Sequence, residues 1–347
     1  MSDSGKIEAL FHISASSSDK EKAQAIVSSI QIKTEGDPKK VSMAVDFPSE
    51  HTIFYYPGVV SPKKSLLQKT RSHVRYHGRE MTIFSEPSPA ALSISVDVHL
   101  KVPRGGTLKV DNLVGALTAR GPECDMNVET MTADVAIENV KGKVNVATSS
   151  GNIVIQTLTG PLQCMSGTGK IALTDIQGDV AANCATGTIS LSSSEFANAT
   201  LETGTGSITV TKSKGDLNAL TGSGKVHIDE HRDARLLRIR TGTGSIRLKG
   251  DFSILETFCI QTGTGNVTFA STPFPEALFE ISVGIGQIAI DVPGLKTKGH
   301  PVRKFHGSIH ETPKGSGTIR AGSGNIKIST SQKKESAPAH ANAQKHN

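Results

Sequence analysis

The sequence predicts an all-β protein, a β-solenoid with a small N-terminal α+β cap, and three observations predict it. The first is a pentapeptide, Gly-Ser/Thr-Gly-x-Ile/Val, that recurs at near-constant spacing, as in Gly204-Thr205-Gly206-Ser207-Ile208, Gly242-Thr243-Gly244-Ser245-Ile246 and Gly263-Thr264-Gly265-Asn266-Val267. The second is an alternation of apolar and polar residues on both sides of its glycines. The third is composition: 347 residues hold 34 Gly but only 11 Phe, 3 Tyr and no Trp. A core without large aromatics is built from Ile, Val, Leu and small residues, which suits many short strands.

Setting the second glycine of each copy as position zero gives Gly115, Ala133, Gly151, Gly169, Gly187, Gly206, Gly224, Gly244, Gly265, Gly286 and Gly324. Successive copies lie 18 to 21 residues apart until a 38-residue interval before the last. Position +2 is apolar in every copy, from Leu117 and Val135 to Ile288 and Ile326. Positions +4 and −5 repeat the pattern, the latter with Val128, Val146, Cys164, Ala182 and Leu201 among others. Period-two alternation around a glycine turn means two short strands per repeat, each with one face inward. Stacking about eleven such coils, with like residues laddered at about 4.8 Å, makes a solenoid. A propeller would pair repeats into blades and impose a difference between odd and even copies, and none is visible.

Ahead of the array, residues 1–102 lack the repeat. Ile7, Ala9, Phe11 and Ile13 alternate as a strand, and Ser18 caps a helix carrying Ala23, Ile26 and Val27. Further strands are predicted at Val41–Phe47, Met81–Phe84 and Ile94–Val102. This region is expected to cover the open end of the solenoid at 103–330, because exposed strand edges recruit other chains. The segment 331–347 has no Ile, Leu, Val or Phe and is expected to be disordered.

The strand ending Val102-Pro103-Arg104-Gly105-Gly106, the serial Thr-Gly-Thr-Gly-Ser-Ile units and the closing Ala321-Gly322-Ser323-Gly324-Asn325-Ile326 resemble a bacterial adhesin-type domain family of uncharacterised function. The resemblance covers most of the chain. It implies a repeat β-solenoid, an adhesive and non-catalytic role, and a membrane-anchored or exported setting.

The residues themselves point elsewhere on location. The N-terminus lacks the basic and apolar regions of a secretory signal, and no apolar run is long enough to span a membrane. The expectation from this chain is therefore cytoplasmic. Cys124, Cys164, Cys184 and Cys259 show no CxxC and no regular pairing, so they read as small apolar core residues.

Candidate sites divide by chemistry. Solenoid carbohydrate-cleaving enzymes need clustered carboxylates, and Asp134, Asp175, Asp179, Asp216, Asp229 and Asp251 all lie near turns; Gly-Asp is also ordinary turn chemistry. The Thr-Gly-Thr positions −3 and −1 carry Cys184, Val283, Ala321 and Ile285 in other copies, which reads as an inward small-residue environment and not a water-ordering lattice. Gly167-Thr168-Gly169-Lys170 and Gly222-Ser223-Gly224-Lys225 fail the spacing of a phosphate loop, leaving the lysines as solvent-facing. The pairs His73/His77, His227/His231 and His306/His310 lack the further ligands of a metal site. No catalytic residue, cofactor or metal is predicted.

One segment, His51 to Glu80, combines all three tyrosines with a basic run. Tyr55, Tyr56, Lys63, Lys64, Lys69, Arg71, Arg75, Tyr76 and Arg79 form the candidate partner-binding set, since cations beside aromatic rings suit anionic sugars, phospholipid heads or other polyanions. The functional expectation is a non-enzymatic adhesin-like or scaffold surface for an unknown protein, glycan or membrane-surface partner. The alternatives are a carbohydrate-active enzyme using Asp179 and Asp216, and a structural protein self-associating through the solenoid ends.

Overall fold

The computed structural model describes residues 6–16, 20–37, 40–46, 53–55, 71–76, 79–84, 92–296, 302–308 and 311–330. The protein is all-β, with 71% strand and 4% helix among the described residues, and forms a β-solenoid. It divides into two compact units, residues 1–207 and 208–347.

In the first unit the leading residues make a small sheet. Strand β1 (Glu8–Ser16) precedes helix α1 (Lys20–Ser29), and the hairpin β2 (Gln31–Asp37) and β3 (Lys40–Asp46) stands apart as a two-stranded sheet. Strands β4 (Ile53–Tyr55), β5 (Arg71–Tyr76), β6 (Arg79–Phe84) and β7 (Leu92–Lys101) complete a five-stranded sheet in the order β1-β7-β4-β6-β5. Ala9, Phe11 and Ile13 face one side of β1, where α1 packs with Ile26 and Ile30 buried. The predicted strands and helix are present; β2, β4 and β5 were not legible in the sequence, and Ser18 lies outside the described residues.

From Thr107 onward the unit is solenoid, each coil named here by its corner residue. A first-row strand runs up to the corner and a second-row strand leaves it, as Val144–Ser150 and Ile153–Thr159 do around Gly151. Like strands pair in parallel and in register: Val128, Val146, Cys164, Ala182 and Leu201 stack in the first row, and Ile137, Ile155, Leu173 and Leu191 in the second. All nine are buried. Leu108, Val110, Leu117 and Ala119 of the leading Gly115 coil are only half-buried.

The corner glycine has two reasons to be glycine. Gly169 has φ +150°, and a Cβ there would run into the Gly151 carbonyl oxygen of the preceding coil. The structure adds two features that the repeat alignment overlooked. A second set of corners, Gly142, Gly160 and Gly178 with φ 143°, 139° and 143°, lies nine residues further on. Between the two corners Asn139, Thr157, Asp175 and Ser193 adopt the left-handed conformation with φ 52–56°. Each such residue shifts the inward phase by one: Ile153 and Ile155 face in, Gln156 and Thr157 face out, and Leu158 faces in again.

The second unit continues this geometry through the Gly224, Gly244 and Gly265 coils and then departs from sequence order. Gly315–Ser323 pairs in parallel with Thr257–Thr264 on one side and Ala277–Ile285 on the other. Ile326–Thr330 likewise lies between Val267–Ser271 and Ile288–Val292. The last coil in sequence, that of Gly324, is thus inserted between those of Gly265 and Gly286. The 38-residue interval, among its described residues, forms two short strands and no coil. It leaves the Gly286 coil, lays Leu295–Lys296 against Ile288–Val292 and Lys304–Gly307 against Ala277–Ile285, both antiparallel, and returns to fill the gap. These two short strands cover the hydrogen-bonding edge of the end coil.

The insertion has a packing signature. At position −7 the spatial order is Leu217, Leu237, Phe258, Gly317, Phe279. With no side chain on Gly317, the rings of Phe258 and Phe279 meet across it with centroids 4.9 Å apart. No helix among the described residues is long and apolar enough to cross a membrane, which says nothing about strands.

Candidate binding surface

Most turn polar groups serve the next coil. Asp125 Oδ1 accepts from the Lys143 amide at 2.8 Å, Asp134 Oδ1 from Asn152 at 2.7 Å and Asp179 Oδ1 from Asn198 at 2.9 Å. In the second unit Asp216 Oδ1 accepts from both Arg235 and Leu236, at 2.8 and 2.9 Å. Asp251 caps the Ser253 amide at 3.0 Å, Asp229 lies 3.8 Å from the Lys249 ammonium, and Asp175 occupies a left-handed bend. Asp134, Asp179, Asp216 and Asp251 each hold a backbone amide, whereas Asp229 Oδ1 is buried with no hydrogen-bond partner among the described residues. The asparagine ladder Asn266–Asn325–Gln287 follows the interleaved order, with amide-to-side-chain bonds of 2.8 and 3.0 Å.

The hydroxyls divide by phase, which corrects the reading of both positions as inward. At −3 they are buried, and four hold corner carbonyls: Ser166 to Gly151 at 3.2 Å, Thr203 to Gly187 at 3.0 Å, Thr241 to Gly224 at 3.0 Å and Thr262 to Gly244 at 2.9 Å; Thr148 bonds the Ser150 carbonyl instead. Cys184 substitutes a thiol, 3.3 Å from the Gly169 oxygen. At −1 the side chains face out, as Ser150, Thr168, Thr186 and Thr205 do in the first unit and Thr243 and Thr264 in the second. Ile285 ends this second row at 71% exposure.

Burial decides the remaining candidates. Cys164 is fully enclosed and its thiol is pushed up to about 12, by burial first and by nearby Cys184 second. Cys259 is not a core residue: it faces outward, half-buried, with the Arg240 guanidinium 3.7 Å from its sulfur. His231 is fully buried beside Phe252, and its Nε2 lies 3.0 Å from the Gly215 carbonyl, which can only accept. Burial lowers its pKa to about 4 against smaller raising effects from the Gly215 and Ser213 backbone and from Asp233 and Asp216. His227 sits on the outward side of the same strand, because Glu230, in the left-handed conformation at φ 53°, turns the chain between them. Lys170 and Lys225 are exposed as expected.

Of the partner-binding set, Tyr56, Lys63, Lys64 and Lys69 lie outside the described residues. Tyr55 falls on β4, and Arg71, Arg75, Tyr76 and Arg79 on the β5–β6 hairpin, whose register places Arg75 opposite Glu80 and Tyr76 opposite Arg79.

A charged row absent from that set emerges on the outer face of the second unit. At position −4 the spatial order is Arg240, Gln261, Arg320, Ser282, with Lys304 of the covering strand opposite Ser282. Cations thus occupy every second rung. The three cations and Gln261 are exposed, and none of the three joins an ion pair among the described residues. The neighbouring row reads Arg238, Cys259, Thr318, Glu280, His306, with one carboxylate, 4.0 Å from the His306 imidazole. The sequence signal was invisible because residues 240, 304 and 320 become neighbours only through the interleaved coil.

Residues 97–254 match the family model described as Toastrack DUF4097. Over this stretch the chain is similar to the Toastrack family. The matched stretch runs from the second half of β7 through the Gly244 coil. The Gly265, Gly324 and Gly286 coils, with Arg320 and Lys304, lie beyond it. No curated protein and no solved structure matches the chain.

Proposed function

We propose that this protein is a non-enzymatic, adhesin-type scaffold whose in-register outer rows present a repeating surface to a partner. One observation carries the reading. Asp125, Asp134, Asp179 and Asp216 accept backbone amides of the next coil, and the hydroxyls of Ser166, Thr203, Thr241 and Thr262 bond corner carbonyls, while the outward rows present their side chains at fixed spacing. A catalytic pair needs carboxylates directed at a substrate and held at matched protonation states, and Asp179 and Asp216 are instead turn acceptors. Self-association through the C-terminal end is disfavoured by the two antiparallel strands that pair with the end coil.

The test is a glycan and peptide array followed by mass spectrometry of the retained ligands. A scaffold holds its ligand intact, and outward-row substitutions weaken retention. Shortening of a bound glycan that disappears in Asp179→Asn or Asp216→Asn would replace this reading with the enzyme.

A further inference from the structure

We infer that the outer face of the second unit binds a linear acidic polysaccharide with one carboxylate per two sugars, along the row Arg240–Gln261–Arg320–Ser282–Lys304. The inference deepens the scaffold reading and rests on it.

Spacing argues first. Adjacent rungs are about 4.8 Å apart, so cations on alternate rungs recur at about 10 Å. A polymer of alternating acidic and neutral pyranoses carries its carboxylates at the length of one disaccharide, the same repeat. The intervening rungs, Gln261 and Ser282, together with Thr318 alongside, offer amide and hydroxyl groups where such a polymer presents its neutral sugar. Two of the three cations are arginines, whose planar guanidinium takes a carboxylate in bidentate fashion.

Chemistry argues against other polyanions. Single-stranded nucleic acid is held by stacking on exposed aromatic rings; Phe252, Phe258, Phe269 and Phe279 of this unit are buried, Phe274 and Phe305 are half-buried, and none belongs to the row. Duplex DNA carries a phosphate about every 3.4 Å along each strand, too dense for cations at alternate rungs. An anionic membrane rewards clustered cations with apolar side chains beside them, whereas the intervening rungs here are Gln and Ser.

The row is a product of the interleaved coil. Were the coils stacked in sequence order, Ser282 would follow Gln261 and Arg320 would stand a rung further away. The covering strand adds Lys304 to the same line.

The experiment titrates the full-length protein with a hyaluronan octasaccharide, which has one carboxylate per disaccharide, by calorimetry at low and physiological salt. Binding is expected, weakening as salt rises. Arg240→Glu with Arg320→Glu should weaken it at least tenfold, Arg240→Lys with Arg320→Lys should restore part of it, and Lys170→Glu in the first unit should leave it unchanged. Circular dichroism and melting of each variant confirm folding. No binding, or binding indifferent to the double reversal in folded protein, overturns the inference. Tighter binding to oligo-dT or to phosphatidylglycerol vesicles, lost in the same variants, overturns the polysaccharide assignment in favour of that polyanion. Array ligands retained through other rows while hyaluronan fails would leave the scaffold reading standing and remove only this one.

Discussion

At the residue scale the solenoid tolerates two kinds of local cost. Thr157 is β-branched and sits at φ 56°, a conformation that opposes its side chain by about 1 kcal/mol. Thr157→Gly should therefore raise stability by roughly 0.5–1 kcal/mol, read as a higher urea midpoint at unchanged slope. His231 is the second. Its folded pKa, about 4, lies below the unfolded value of 6.5, so the unfolded chain binds the extra proton first. Stability from the neutral imidazole is complete above pH 6.5 and is lost as pH falls towards 4, by about 3 kcal/mol in all. Urea unfolding at pH 7.5, 5.5 and 4 should show that loss, and a folded His231→Leu variant should show a shallower one.

At the element scale each corner is a small hydrogen-bonded device handed from coil to coil. Asp216 serves two amides with one oxygen, and Asp216→Ala leaves those donors to water or to nothing. A loss of about 1–3 kcal/mol is expected, with faster amide exchange localised at Arg235 and Leu236. A substitution with no effect on either would show that the corner holds without its carboxylate. The sequence marked these positions correctly as turn residues, because Gly-Asp has a local conformational meaning. It hid the second glycine corner at Gly142, Gly160 and Gly178, since those glycines stand outside the pentapeptide although they keep the same 18-residue spacing.

For the molecule as a whole, the second unit departs most from a simple stack. Gly317 is where the departure can be tested, because a Cβ there would strike the ring of Phe258. Gly317→Val should destabilise the second unit by at least the 1–3 kcal/mol typical of overpacking. Hydrogen exchange should rise across Gly315–Thr330 and Ala277–Val292 while residues 125–205 keep their protection. Retention of the native exchange pattern throughout would contradict an inserted final coil.

The sequence alone determined the solenoid, its inward rows and the turn role of its aspartates, because these follow from short-range periodicity and from the backbone preferences of Gly and Asp. The binding row had no such signature. Arg240, Arg320 and Lys304 lie far apart along the chain, and only strand pairing places them on alternate rungs of one face. Equally, nothing local could reveal that the coil of Gly324 precedes that of Gly286 in space. Either stacking order satisfies the same alternation; the tertiary structure decided between them through the fit of Gly317 between Phe258 and Phe279 and the pairing of the covering strands.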